Sequence, residues 1–217
     1  MTIGWLDEPA RRALRDAVLA VERGSAAELV IAVRRRARRW PHVPLVAGIV
    51  AGWAALAFML FSHHVFGLAA ILIDPVLVGG AVGLAATLAP WLVRALTPAR
   101  VRRRAVEAAA RATFVERGVH HTRARTGVLV YCALTESMAA VVADIGVCAA
   151  VPAATLAALT VTVDQAVGRG GAATGAAVAT LAPVLAAALP RGADDVNELA
   201  DAVDHDLDPD HVRRPRS

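Results

Sequence analysis

The sequence predicts an α/β domain interrupted by a two-helix transmembrane hairpin. Two uncharged apolar runs lie close together near the middle of the N-terminal half, and arginines crowd their outer flanks. Short β-branched segments and amphipathic helices occur on either side of them. The chain has 217 residues, enough for the hairpin and one further domain. Its hydrophobic content is 57% with only 4% aromatics, so Ala, Val and Leu supply the apolar mass. That composition suits membrane helices packed through small residues.

The first apolar run covers 43–61 without a charge, and the second covers 75–93. Nineteen residues at 1.5 Å each approach the roughly 30 Å of a hydrocarbon core. Asp74-Pro75 reads as an N-cap followed by proline at the first helical position. Trp40 and Trp91 then fall at interfacial depth. Arg34, Arg35, Arg36, Arg38 and Arg39 precede the first span, and Arg94, Arg100, Arg102, Arg103 and Arg104 follow the second. The connecting loop has no Arg, so the positive-inside rule puts both termini and the attached domain on the cytoplasmic side. With no charge inside either run, a transport or channel role is disfavoured. Gly79, Gly80 and Gly83 give the second helix a small face for packing on the first.

The N-terminus lacks a basic region followed by an apolar stretch, so no cleavable signal peptide is expected. Every basic side chain apart from His is Arg, which reads as codon usage before function. The net charge of +4 clusters beside the apolar runs and does not indicate nucleic acid. Cys132 and Cys148 sit in apolar surroundings, show no metal or redox spacing and are expected to be buried, reduced thiols.

Segments 6–39 and 98–201 form the domain in this reading. Asp7-Glu8-Pro9 opens a helix to about Arg23 with Ala10, Leu14, Ala17, Val18 and Val21 as its apolar stripe. Glu28–Val33 is a buried strand. Pro98–Gly118 is an amphipathic helix with Val101, Ala105, Ala108, Ala112 and Val115 on its expected apolar side. Thr126–Leu134 and Met138–Ala143 are strands, the first parallel to the early strand across the long crossover, the second antiparallel. Ala-rich helices at 153–167 and 172–189 are expected to pack on the sheet. The Gly168–Gly171 loop between them lacks a phosphate-loop pattern. Residues 202–217 read as an acidic, then basic, disordered tail, since 194–210 holds eight of the 19 acids.

Several pieces resemble the TPM domain family, in its bacterial subgroup with an internal membrane hairpin. His120-His121-Thr122-Arg123-Ala124-Arg125-Thr126-Gly127-Val128-Leu129 is similar to the family's segment ending in Arg-Thr-Gly-Val-Leu. Val142-Ala143-Asp144-Ile145-Gly146 and Gly192-Ala193-Asp194-Asp195-Val196-Asn197-Glu198-Leu199 are similar to two later motifs. Ala26–Ile31 resembles the first strand, and Glu136 a motif glutamate; the resemblance spans about residues 6–201. It implies a small three-layer Rossmann-like α/β domain. Some plant members are credited with weak acid phosphatase activity and calcium binding, and the animal member assists a receptor. This chain departs from the pattern at Ser137 and Ile145, where the family is usually basic.

Two sets of residues have chemistry to offer. His120, His121, Arg123 and Arg125 are candidates for holding a phosphate or an anionic lipid head. Asp144, Asp194, Asp195, Asn197 and Glu198 are hard oxygen donors suited to Ca²⁺ or Mg²⁺. Glu136 and Asp144 stand at opposite ends of one strand, about 20 Å apart, too far to share an ion. No nucleophile stands beside an evident base. The expectation is a non-catalytic binding or accessory module for another envelope protein, with a weak metal-dependent phosphatase as the alternative.

Overall fold

The computed structural model describes residues 4–192 and 204–207. These fall into two compact units, 38–102 and the remainder.

The larger unit is built on a four-stranded mixed sheet whose order is Met138–Ala143 (β3), Gly127–Ala133 (β2), Glu28–Arg34 (β1) and Asp204–His205 (β4). Strands β1 (Glu28–Arg34) and β2 (Gly127–Ala133) run parallel, in register from Glu28↔Gly127 to Arg34↔Ala133. β3 (Met138–Ala143) adds antiparallel to β2. Alternation divides the sheet cleanly. Leu29, Ile31, Val33, Val128, Val130 and Cys132 face one core, which also holds side chains of α1 (Glu8–Gly24), α7 (Ala153–Val167), α8 (Gly171–Ala179) and α9 (Leu181–Ala188). Ala32, Leu129, Tyr131 and Ala133 face the other, beneath Val106, Ala110 and Phe114 of α5 (Ala99–Glu116). The domain is therefore three-layered.

α1 is the most direct translation of sequence into packing. Asp7 accepts the Ala10 N–H at 2.9 Å as N-cap, and the buried stripe is Ala10, Leu14, Ala17, Val18 and Val21. For α5 the expected face is wrong. Val101 and Val115 are 43% and 63% exposed, and the buried residues are Val106, Ala110, Thr113 and Phe114. Phe114 offers far more apolar area than the alanines and sets the rotation of the helix. The apolar stretch 171–188 is long enough to cross a membrane, yet Leu181 and Leu185 are each 1% exposed inside the domain core. It breaks into α8 and α9 at Thr180, and α8 packs mainly on α1 rather than on the sheet. Gly171 and Gly175 permit that approach: a Cβ on Gly175 would lie 2.6 Å from the backbone carbon of Ala13.

The tail expectation also needs correction. Asp204–His205 form a short strand, β4, parallel to β1 at Ala32 and Val33. Asp204 pairs with Arg34 and, at 2.5 Å, with Arg117, while Asp206 accepts the Arg35 N–H at 2.8 Å. Three specific acceptor contacts hold a segment whose polar composition had suggested a solvated run. The opposite edge is closed too. Ala139 of β3 donates its N–H to Asp164 at 2.7 Å, its carbonyl accepts from Arg103, and Arg103 pairs with Asp164 at 2.6 Å. These bonds satisfy backbone groups that an edge strand otherwise leaves open.

The smaller unit is an antiparallel helical hairpin of α2 (His42–Phe61) and α3 (Leu68–Ala86), followed by the short α4 (Pro90–Leu96). The second long helix therefore starts at Leu68, not at Pro75, and ends before 93. Gly67 is its N-cap residue, and Leu68–Ile73 are good helix formers. Pro90 forces the preceding Ala89 out of helical geometry, at φ −109° and ψ 85°, and ends the run. Asp74 and Pro75 consequently lie within the helix, where Asp74 cannot act as an N-cap. Two Gly-x-x-x-Gly pairs face each other. Cβ atoms on Gly48 and Gly52 would meet the carbonyl oxygens of Gly79 and Pro75 at 2.7 and 2.9 Å. One on Gly83 would meet Pro44 O at 3.0 Å, whereas Gly80 faces open space and takes no part in the packing.

Helix packing through glycine generates a direct test. Gly175→Ala is expected to destabilise the protein by about 1–3 kcal/mol, because the Ala13 backbone cannot yield. Gly168→Ala, which meets only the Ser137 hydroxyl at 3.0 Å, should cost well under about 1 kcal/mol. Denaturant unfolding of both variants in detergent checks the contrast.

Candidate functional site

The loop entering β2 carries the basic candidates, and Arg125 among them has a defined carboxylate partner. Arg125 grips Asp144 with two bonds, Nε to Oδ2 at 2.7 Å and a terminal nitrogen to Oδ1 at 3.0 Å. Asp144 is almost wholly enclosed, its side chain 3% exposed. It also caps α6 (Ile145–Ala150) by accepting the Ile145 N–H at 2.8 Å. The Arg125 guanidinium holds the Asp144 carboxyl below its ordinary range. The Ile145 N–H and the charges of Arg125 and His120 act in the same direction, against the opposing effect of burial.

Arg125 takes a left-handed backbone, φ 54°, unusual for a residue other than glycine. Thr126 donates its hydroxyl to Ala26 O at 2.7 Å, stitching the loop to the start of β1, and its N–H bonds Thr122 Oγ1 at 2.9 Å. Gly127 is required by close approach: a Cβ there would stand 2.0 Å from Val119 O. Gly146 is required likewise, with a Cβ 2.5 Å from Ala124 O and 2.7 Å from Arg125 O. The Arg-Thr-Gly and Asp-x-Gly pieces are thus two halves of one joint between the sheet and α6.

The anion and metal candidates divide on this geometry. Arg125 is committed to Asp144. His120 and His121 lie against each other with centroids 4.0 Å apart, and His120 also leans on Phe114. The His120 Nδ1 is buried without a hydrogen-bond partner among the described residues. Arg123 is exposed. Asp144 spends its oxygens on Arg125 and Ile145, which leaves them poorly placed to hold a cation. Asp194, Asp195, Asn197 and Glu198 lie outside the described residues. Among the described residues no group of three His, Cys, Asp or Glu is placed to hold a metal ion.

Glu136 sits at the other end of β3, fully buried, with both carboxylate oxygens accepting the Ala37 N–H at 3.2 Å. It pins the segment leaving β1 to the β2–β3 turn. This task shows only once the strands are paired.

The hairpin overturns the capping role expected of Asp74 and leaves it as an acid within the helix. The glycine contacts set Gly48 against Gly79 and Gly52 against Pro75. Asp74 is therefore level with Trp53, about 9–12 Å from the loop end of a helix pair about 30 Å long. It is exposed and makes no hydrogen bond or ion pair among the described residues. An acid does lie inside one of the two apolar helices, so the argument against transport from uncharged helices fails. At the centre of a lipid-embedded helix, Asp costs about 2.5–3.5 kcal/mol.

No family model matches the chain, and no curated protein matches it. Among solved structures it is similar to the BA42 protein of the psychrophilic bacterium Bizionia argentinensis, determined by NMR. The TM-score is 0.56 at 13% identity, over 93% of this chain and 95% of that one. At that identity the likeness is one of fold.

The Arg125–Asp144 joint makes stability depend on acid. The folded-state carboxyl is depressed, so its contribution is complete above the unfolded carboxylate range and is lost as pH falls through the lower folded value. Asp144→Asn is expected to cost about 2 kcal/mol at pH 7. The gap to the wild type should narrow toward pH 3, measured by denaturant unfolding at both pH values.

Proposed function

We propose that this chain is a TPM-like domain protein of a bacterial cytoplasmic membrane, held there by α2 and α3. Its α/β domain and both chain ends lie on the cytoplasmic side, and it serves as a non-catalytic binding or accessory module for another envelope protein. The observation that carries the membrane reading is the outer surface of the hairpin. Only Val43 and Met59 of α2 and Ala86 of α3 are buried, while Trp53, Phe61 and Leu72 are 68%, 86% and 74% exposed. A helix pair whose outer surface is apolar but for Asp74 is a poor solute in water and a good one in lipid.

Arginine placement supports the orientation. Arg34 and Arg103 are taken up by Asp204 and Asp164, but Arg35, Arg36, Arg39, Arg94, Arg100 and Arg104 are still gathered at the flanks. The loop at 62–67 has none. Arg38 lies 5.3 Å over Trp40, and His42 meets Thr97 at 2.9 Å, a polar and aromatic collar at the base of the hairpin. The binding role is supported by the fate of the motif residues. Arg125, Thr126, Gly127, Asp144 and Gly146 build a rigid frame, leaving recognition to surfaces that the frame presents.

Native thiols make the topology testable. Cys132 is buried as expected, and burial pushes its thiol up to about 12; Cys148, expected to be buried too, is instead exposed, so a maleimide reads Cys148. A membrane-impermeant maleimide should leave Cys148 unmodified in intact spheroplasts and label it in inside-out vesicles. Val65→Cys in a Cys148→Ser background should show the reverse, Val65 being 90% exposed in the loop. Extraction of the protein by alkaline carbonate, or labelling of Cys148 from outside, overturns the reading.

A further inference from the structure

We infer that Asp74 is a docking determinant within the membrane, and that its occupant is a transmembrane helix of another protein carrying a basic side chain at matching depth. The inference rests on the membrane reading above. Asp74 is level with Trp53, about 9–12 Å in from the loop end of the hairpin, on a surface turned away from the α2–α3 contact. That contact is already filled by Gly48, Gly52, Gly79 and Gly83. Leu77 and Val78, 63% and 40% exposed, continue the surface on the next turn. An ionisable side chain at such depth normally faces a polar partner, because lipid offers it none.

The two helices themselves supply no such partner. No Arg, Lys or His occurs in α2 after His42, and none occurs in α3. A second copy would set the same apolar helices and another Asp74 at that depth, with no basic side chain level with it, so self-association offers the carboxylate no opposite charge there. Charge complementarity therefore points to a different protein, with Arg, Lys or His near the middle of its span. The exposed Trp53 ring at the same level adds a face that a guanidinium or ammonium group can approach.

The test uses the full chain in phosphatidylcholine vesicles, with a donor dye at Val65→Cys in the Cys148→Ser background. The probes are two synthetic Leu/Ala transmembrane peptides that differ only in a central Arg or Leu, each with an acceptor dye at one end. Energy transfer is expected to show roughly three- to twentyfold tighter association with the Arg peptide. Asp74→Leu should abolish that preference and Asp74→Glu should keep it. Equal binding of the two peptides, or a preference that survives Asp74→Leu, overturns the proposal. Asp74-dependent transfer between two labelled copies, in place of transfer to the Arg peptide, overturns it as well. Flotation with the vesicles separates the two levels of failure. A wild-type chain that does not float removes the membrane reading itself, and one that floats without preference removes only the role of Asp74.

Discussion

The parallel pairing of β1 with β2 is the constraint from which the rest of the architecture follows. Seven residue pairs, from Glu28↔Gly127 to Arg34↔Ala133, join segments on either side of the hairpin. A parallel pair requires a crossover, and here the crossover includes both apolar helices and α5. If the hairpin lies in a membrane, the two strands can share a sheet only when the chain crosses an even number of times between them. Two spans meet that condition. The same logic applies to 171–188, whose length and apolarity would allow a crossing. β4 follows it and pairs with β1, so a single crossing there would tear the sheet across the bilayer. The apolar surface of α8 and α9 is instead spent on α1 and the domain core.

Where the sequence was legible, one physical signal dominated. The α1 stripe is unambiguous because its apolar residues fall on one side and its charges on the other, with Asp7 and Pro9 marking the start. The central strand β2, buried along its whole length, announces itself as an unbroken apolar run. Legibility fails where two signals compete. In α5, alanines occupy several faces, so counting them cannot locate the core, and Phe114 decides the matter by size. At Asp74-Pro75, a capping signature coincides with an apolar stretch that extends further back. The earlier residues win because helix continuation from Leu68 satisfies their backbone groups. β4 is illegible for a different reason. Asp-His has no strand propensity to display, and its conformation is imposed by Ala32, Val33 and the arginines it meets.

The motif pieces were readable as motifs while their roles were not. Arg125, Gly127, Asp144 and Gly146 are separated by up to 21 positions, and only antiparallel pairing of β2 and β3 brings them to one corner. Once there, the glycines are explained by distances under 3 Å, and the charged pair by its enclosure. The hairpin uses glycine in the same way, yet the driving force differs. Between α1 and α8 close approach increases apolar burial from water. Between α2 and α3, in the lipid setting proposed above, the apolar groups are already solvated by lipid, so the gain would come from tighter van der Waals contact.

The exclusive use of arginine has a structural side beyond codon usage. Arg125 reaches both oxygens of Asp144, and Arg103 bonds Asp164 and the Ala139 carbonyl at once. Each contact needs a planar fork with several donors, which a lysine ammonium on a flexible stem does not reproduce. Arg103 further shows that a flanking arginine need not belong to the membrane. Its guanidinium closes a sheet edge, so its charge is largely spent before any lipid headgroup can compete for it. The orientation signal must therefore be weighed on the arginines that the domain leaves unclaimed. Even after Arg34 and Arg103 are set aside, several stand on each flank and none in the loop, so the asymmetry persists.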